Sequence, residues 1–267
     1  MMEYILSLIL GLFVGSFINC VVYRVYNKES FLKGRSKCPK CGHKLKVLDL
    51  IPVLSFLFLG GKCRYCKEKI SIQYPLVEIG TGLLFFSVAY LLQANFLETG
   101  FFNLAFLNLL FYFFITTCFV MIFVFDFKWF IIPDGLTFAG IIVTLTYLLS
   151  QTFVFDVLSQ DILLQRVITA FVVFLFFFAL YFFSGGRAMG FGDVKLVILL
   201  GLLLGFPKIL PALFIAFAIG AIIGIILMLF KKKGIKSEVP FGPFLVLGTF
   251  IAMFFGDHII QWYLSLM

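Results

Sequence analysis

Apolar positions along this chain neither alternate as in a half-buried strand nor recur on one helical face; they run on without a polar side. Eight such stretches stand out, near 4–25, 74–94, 101–125, 129–150, 163–183, 192–207, 209–230 and 241–265. A helix of about 20 apolar residues crosses roughly 30 Å of hydrocarbon, so the pattern predicts an all-α polytopic membrane protein of about eight transmembrane helices. The sixth run is the shortest, and the fourth and sixth contain or abut charged residues. The first run follows only Met-Met-Glu, with no basic n-region and no small-residue cleavage site, and reads as a retained first transmembrane helix within 1–25. One polar segment, 26–72, interrupts the pattern as a candidate small domain between helices 1 and 2, and 73–267 forms a seven-helix membrane core.

Composition sharpens the class and charge sets the orientation. Hydrophobic residues make up 63% of the chain and charged residues 13%, far from a soluble globular balance. Basic residues crowd the cytoplasmic ends of spans. Of 21 Lys and Arg, twelve lie between Arg24 and Lys69. Lys128, Arg187 and Lys195 fall at the junctions of helices 3 to 4 and 5 to 6, and Lys231, Lys232, Lys233 and Lys236 sit between helices 7 and 8. Only Arg166 and Lys208 remain for the other side. With eight spans this places both termini outside and the polar segment in the cytoplasm. The net charge of +8 is then a topology signal with some attraction to anionic lipid. No basic face is paired with a soluble reading module, which argues against nucleic acid as a partner.

Inside the polar segment, Cys38-x-x-Cys41 and Cys63-x-x-Cys66 are separated by 21 residues. This is close to zinc-ribbon spacing, and four thiolates suit tetrahedral zinc. Two disulfides are disfavoured in reducing cytoplasm. A site with four protein ligands leaves no open position, so its expected role is structural. His43 is a possible competing ligand beside Cys41, or a solvated surface residue.

The acids in or beside the apolar runs carry the candidate chemistry, because a charge at membrane depth usually faces a bundle interior or a wet cavity. Asp126 ends helix 3 in "FVFDFKWFIIPDGLT" and Asp193 opens helix 6 in "GFGDVKL", at the same depth and on the same side. Two carboxyls brought together share a proton, so one can activate water while the other polarises a carbonyl. With only His43 and His258 in the chain, a Ser-His or Cys-His hydrolase is disfavoured, and no H-E-x-x-H is present. The alternative left open is that both acids are interfacial, with Asp193 favoured by the helix macrodipole. Gly190 and Gly192 would admit close approach of a peptide backbone. Lys195 either tunes the pair as a nearby cation or anchors helix 6 at the interface. Glu78, Ser16 and Asn19 either line a substrate groove or bond helices together.

The sequence resembles the type IV prepilin peptidases, the bifunctional leader peptidases and N-methyltransferases of type IV pilus and type II secretion systems, among the G-x-G-D intramembrane aspartyl proteases. The resemblance rests on "GSFINCVVYR" (15–24), "RSKCPKCGHKL" (35–45), "IPVLSFLFLGGKCRYCKEKISIQYPLVE" (51–78), "FDFKWFIIPD" (125–134), "GFGDVKL" (190–196) and "PFGPFL" (240–245), in that order. It implies that Asp126 and Asp193 are the catalytic pair, with Asp134 supporting. It also implies cleavage of a basic leader from prepilins or pseudopilins at the cytoplasmic face of the bacterial inner membrane. Methylation of the new N-terminus from S-adenosylmethionine would follow. "FIIPD" departs from the commoner leucine at that place. A zinc-ribbon membrane scaffold or an ion-coupled transporter is the alternative class, although no internal repeat of the kind transporters carry is visible.

Overall fold

The computed structural model describes residues 1–30, 34–93, 104–187, 189–229 and 239–266. The chain divides into two compact units, Met1–Met121 and Ile122–Met267. Apart from two isolated bridges, regular structure among the described residues is helical. Seven helices are long and apolar enough to cross a membrane: α1 (Met2–Tyr26), α3 (Gln73–Leu91), α4 (Leu104–Trp129), α5 (Asp134–Phe153), α6 (Gln160–Ser184), α8 (Ile209–Leu229) and α9 (Gly242–Ser265). The short α2 (Leu54–Phe58) lies in the polar segment. The sixth apolar run forms α7 (Phe191–Leu204), of 14 residues. At 1.5 Å per residue that is about 21 Å, short of a full crossing by its own length. The Lys231, Lys232, Lys233 and Lys236 cluster lies outside the described residues.

In the first unit α1 packs along α3, and the sequence permits this by placing glycine where the backbones meet. A Cβ on Gly11 would fall 2.8 Å from the Cα of Gly82, and one on Gly15 would fall 2.7 Å from the Cα of Glu78. Small residues four apart let membrane helices approach closely where no hydrophobic force drives them together.

The second unit is built around α7, which contacts α5, α6, α8 and α9. Val194, Leu196, Val197, Leu199 and Leu200 on it are fully buried. This explains a helix that is apolar all round: most of its surface faces protein, whereas α8 and α6 leave Phe214, Ile222, Phe171 and Phe176 exposed. Glycines again set the contacts. A Cβ on Gly201 would meet the Ala170 Cα of α6 at 2.5 Å, one on Gly140 would meet Leu199 at 2.7 Å, and one on Gly248 would meet the Ala212 carbonyl oxygen of α8 at 2.2 Å. Because that last neighbour is backbone, it cannot swing aside. Gly248→Ala is therefore expected to force α8 and α9 apart and destabilise the unit by roughly 1–3 kcal/mol, read as a lower unfolding midpoint in detergent. An unchanged midpoint would show that the helices slide freely.

The helix ends are locally specified. Ser159 caps α6 by accepting the Ile162 N–H at 3.4 Å, and Gly185 ends it in the left-handed conformation at φ 59°, which glycine adopts without steric cost. Arg166 donates to the carbonyls of Leu202 and Leu203 at 3.3 and 2.7 Å. It thereby satisfies orphan acceptors at the C-terminus of α7, where a cation also complements the macrodipole. Asp193 lies at the opposite end of that helix.

Candidate functional site

Two groups of residues converge, one in each unit. In the first, each Cys-x-x-Cys forms the same turn. Cys38 N–H donates to His43 O at 3.0 Å and Gly42 N–H to Cys38 O at 2.9 Å; in the second turn Cys63 N–H donates to Glu68 O at 2.8 Å and Lys67 N–H to Cys63 O at 3.0 Å. An isolated antiparallel bridge flanks each, Lys37 with Lys44 and Lys62 with Lys69. The repetition aims four thiols at one point. Sγ atoms of Cys38, Cys41, Cys63 and Cys66 all lie within 4.8 Å of one another, with Cys38 Sγ and Cys66 Sγ 4.0 Å apart. None is in a disulfide. Four sulfurs so placed can hold a metal ion and leave no protein-free position on a tetrahedral one.

His43, the candidate competing ligand, instead lies against the Tyr65 ring with centroids 3.7 Å apart. Asp49, at the end of the short turn Val47–Asp49, ties that turn to the second cysteine turn. It accepts Arg64 Nε–H at 2.7 Å, the Tyr65 hydroxyl at 3.1 Å and Lys46 N–H at 3.1 Å. Burial of the carboxyl opposes ionisation, but these three donors together hold Asp49 below the usual carboxylate range. A depressed carboxyl favours the folded state at every pH above its unfolded value, and the benefit is lost as pH falls through the depressed one. Asp49→Asn is expected to speed proteolysis of the segment at neutral pH while leaving all four thiols in place. Equal resistance in both proteins would show the clamp to be idle.

Nearby, Glu78 is buried near the start of α3 and accepts Val53 N–H at 2.7 Å. Val53 has φ 61°, a costly conformation for a β-branched residue that the surrounding contacts must hold. Ser16 lies within reach of the Glu78 carboxyl. Asn19 Nδ2 donates to Tyr74 O at 3.1 Å, while its Oδ1 is buried with no partner among the described residues. The three polar residues predicted in helices 1 and 2 thus join α1, α3 and the loop before α2.

In the second unit, Asp126 occupies the last turn of α4 and Asp193 the first turn of α7. Both are buried, at 5% and 6% exposure, which interfacial, snorkelling acids would not be. Each is within reach of the other's charge. Asp126 Oδ2 accepts Gly242 N–H at 2.8 Å. Asp193 Oδ1 is buried and has no hydrogen-bond partner among the described residues. Gly190 is the N-cap of α7, where a Cβ would stand 3.5 Å from Asp193 Oδ2, and a Cβ on Gly192 would stand 3.0 Å from Ile132. Asp134, at the start of α5, is 60% exposed and pairs with Lys195. Lys195 Nζ also lies 5.2 Å from the centre of the Phe191 ring.

Gly242, Ile132 and Asp49 escape sequence reasoning. The first acts through a backbone group and the second through shape, so neither carries a chemical signature. Asp49 lies 15 and 16 residues from Arg64 and Tyr65, and a common acid in a polar segment gives no signal. A faint cue exists for Gly242: a glycine followed by Pro243 at a helix start leaves one main-chain donor without an intrahelical partner.

Residues 9–92 match the Bacterial Peptidase A24 N-terminal domain and residues 112–225 the Type IV leader peptidase family. A prepilin leader peptidase/N-methyltransferase of Aeromonas salmonicida strain A449 is 33% identical over 97% of this chain and 93% of its own length. Proteins of the same description from Aeromonas hydrophila and Pseudomonas aeruginosa are 32% and 31% identical, again over 97% of this chain and over 93% and 92% of theirs. No solved structure matches the chain significantly. With relatives above 30% identity over more than nine-tenths of both chains and two segments that match the peptidase models, the chain belongs to the type IV leader peptidase family.

Proposed function

We propose that this protein is a prepilin leader peptidase of the bacterial inner membrane and an N-methyltransferase of the trimmed product. The observation that carries the proteolytic reading is the burial of two carboxyls, Asp126 and Asp193, in one unit within reach of each other's charge. Such a pair holds one proton between its members. The ionised carboxyl takes a proton from water as the oxygen attacks the scissile carbonyl, and its protonated partner donates to the carbonyl oxygen. Collapse of the resulting diol breaks the C–N bond as a proton passes to the leaving amine, and the pair returns to its starting state. Gly190 and Gly192 give a peptide backbone room beside Asp193. Asp134 and Lys195 support the site by tying the start of α5 to α7. Glu78, Ser16 and Asn19 act as bonds between helices.

The four cysteines fit zinc. Bonds of about 2.3 Å to a tetrahedral ion set sulfur–sulfur edges of about 3.8 Å, close to the 4.0 Å between Cys38 and Cys66. Zinc there organises residues 26–72 as a domain apart from the first helix (1–25) and the membrane core (73–267). S-adenosylmethionine supplies the methyl group when bound. The described residues offer it no nucleotide-binding sheet, since their extended pairing is limited to the two bridges of the ribbon, so no side chain is assigned to the transfer. The clustered basic residues support a cytoplasmic ribbon and cytoplasmic aspartates and, with α7 counted as an eighth crossing beside the seven longer helices, both termini outside; the enzyme then works beside pilus or type II secretion machinery that consumes its product.

Incubating the purified protein with a prepilin peptide, with and without S-adenosylmethionine, tests the reading by mass spectrometry. Loss of the leader in both reactions and a methylated N-terminus in one are expected. An intact peptide would point to a ribbon-bearing scaffold or an ion-coupled carrier.

A further inference from the structure

We infer that Gly242 is a positioning residue of the leader-peptidase site, its main-chain N–H fixing the carboxyl of Asp126; the inference rests on the aspartate pair being the proteolytic centre. The first N–H groups of a helix have no acceptor within it, and Gly242 is the first residue of α9. Pro243 has no N–H to offer, while Phe244 and Leu245 N–H already donate to Phe241 O at 3.0 and 3.1 Å. One donor is therefore left in this turn, and it goes to Asp126 Oδ2 at 2.8 Å in a buried setting. The turn that carries it is held by aromatic contacts: the Phe241 ring lies 5.0 Å from that of Phe217 on α8.

The residue type is dictated by the same approach. A Cβ at 242 would stand 2.6 Å from Asp126 Oδ2, 3.2 Å from its Cγ and 3.3 Å from Ile132 Cδ1. Ile132 is itself backed by Gly192, where a Cβ would stand 3.0 Å away. Two glycines thus close around Ile132, and the carboxyl of Asp126 is pinned by a donor that cannot rotate away. Asp193 also has a backbone partner, Gly190, but its Oδ1 is buried and without a hydrogen bond among the described residues. The scaffold thus holds the carboxyl of Asp126 through Gly242, and Asp193 keeps one oxygen for water or substrate.

The direct test removes the N–H without adding an atom that clashes. Full-length protein is made by cell-free translation into lipid nanodiscs with glycolic acid in place of Gly242, which turns that amide into an ester. A hydrogen bond to a charged group lost in this way predicts a fall in kcat of about 10- to 100-fold with KM unchanged. Gly242→Ala should lose about 100-fold or more through displacement of the carboxyl. The double variant Gly242→Ala with Ile132→Ala should not recover, because removing Ile132 relieves its own contact and leaves the one with Oδ2. An ester protein cleaving within about threefold of wild type, or recovery of wild-type rate by the double variant, would overturn the positioning role. Failure of the alanine variant to fold leaves the ester protein to decide. A wild-type protein that leaves the peptide intact would instead defeat the peptidase reading.

Discussion

Asp126→Asn and Asp193→Asn are each expected to reduce leader cleavage by about a thousandfold or more, since on the proposed mechanism loss of one member disables a unit that works by passing a proton. The protein should remain folded in the membrane. Both carboxyls are buried, and an amide of the same shape removes a charge that is costly to bury. The amide introduced by Asp126→Asn also retains an oxygen able to accept Gly242 N–H, so the opening turn of α9 keeps its partner. The two variants should share one phenotype: normal membrane insertion, normal substrate binding and no product. Measuring peptide retention alongside turnover separates this from misfolding. If either variant cleaves near the wild-type rate, the acids are buried for packing reasons and the hydrolytic centre lies elsewhere. Asp134→Asn should cost far less, because Asp134 is largely exposed and paired with Lys195.

The parts of this architecture legible in the sequence are those that the bilayer or the convergence of four thiols forces into side-chain pattern. A backbone in hydrocarbon must satisfy its own hydrogen bonds, so long apolar runs announce helices, and the first run, 4–25, becomes α1 almost residue for residue. Cysteine spacing likewise announces the paired turns, because each turn must present two thiols from three residues apart. The run 192–207 is less transparent. Hydropathy continues through Gly205 and Phe206, but the helix stops at Leu204, and its end is completed by Arg166, 36 and 37 residues earlier than the carbonyls it caps. The partner of Lys195 is hidden in the same way by distance along the chain, since Asp134 is 61 residues away. Gly242 N–H is the extreme case, reaching Asp126 over 116 residues with a group every non-proline residue possesses. Such contacts exist only once the helices are packed.

Removing one thiol should separate the ribbon from the proteolytic chemistry. Cys38 is buried and belongs to the cluster whose four sulfurs lie within 4.8 Å of one another, so Cys38→Ser replaces a thiolate ligand by a hydroxyl that binds zinc weakly. A segment with so little core would depend on the proposed zinc for folding. The expected result is zinc falling from one per chain to well below one, with rapid proteolysis between Gly34 and Ile72. The aspartates belong to the other compact unit. Leader cleavage should therefore persist at a reduced level, while methyl transfer falls further if the ribbon frames the donor or the freed amine. Elemental analysis, limited proteolysis and both activities on one peptide test these links independently. Wild-type protein without bound metal would remove the zinc assignment. Equal loss of both activities in the variant would make the ribbon a requirement of the whole fold, and unequal loss would locate methylation, and not proteolysis, with the four cysteines.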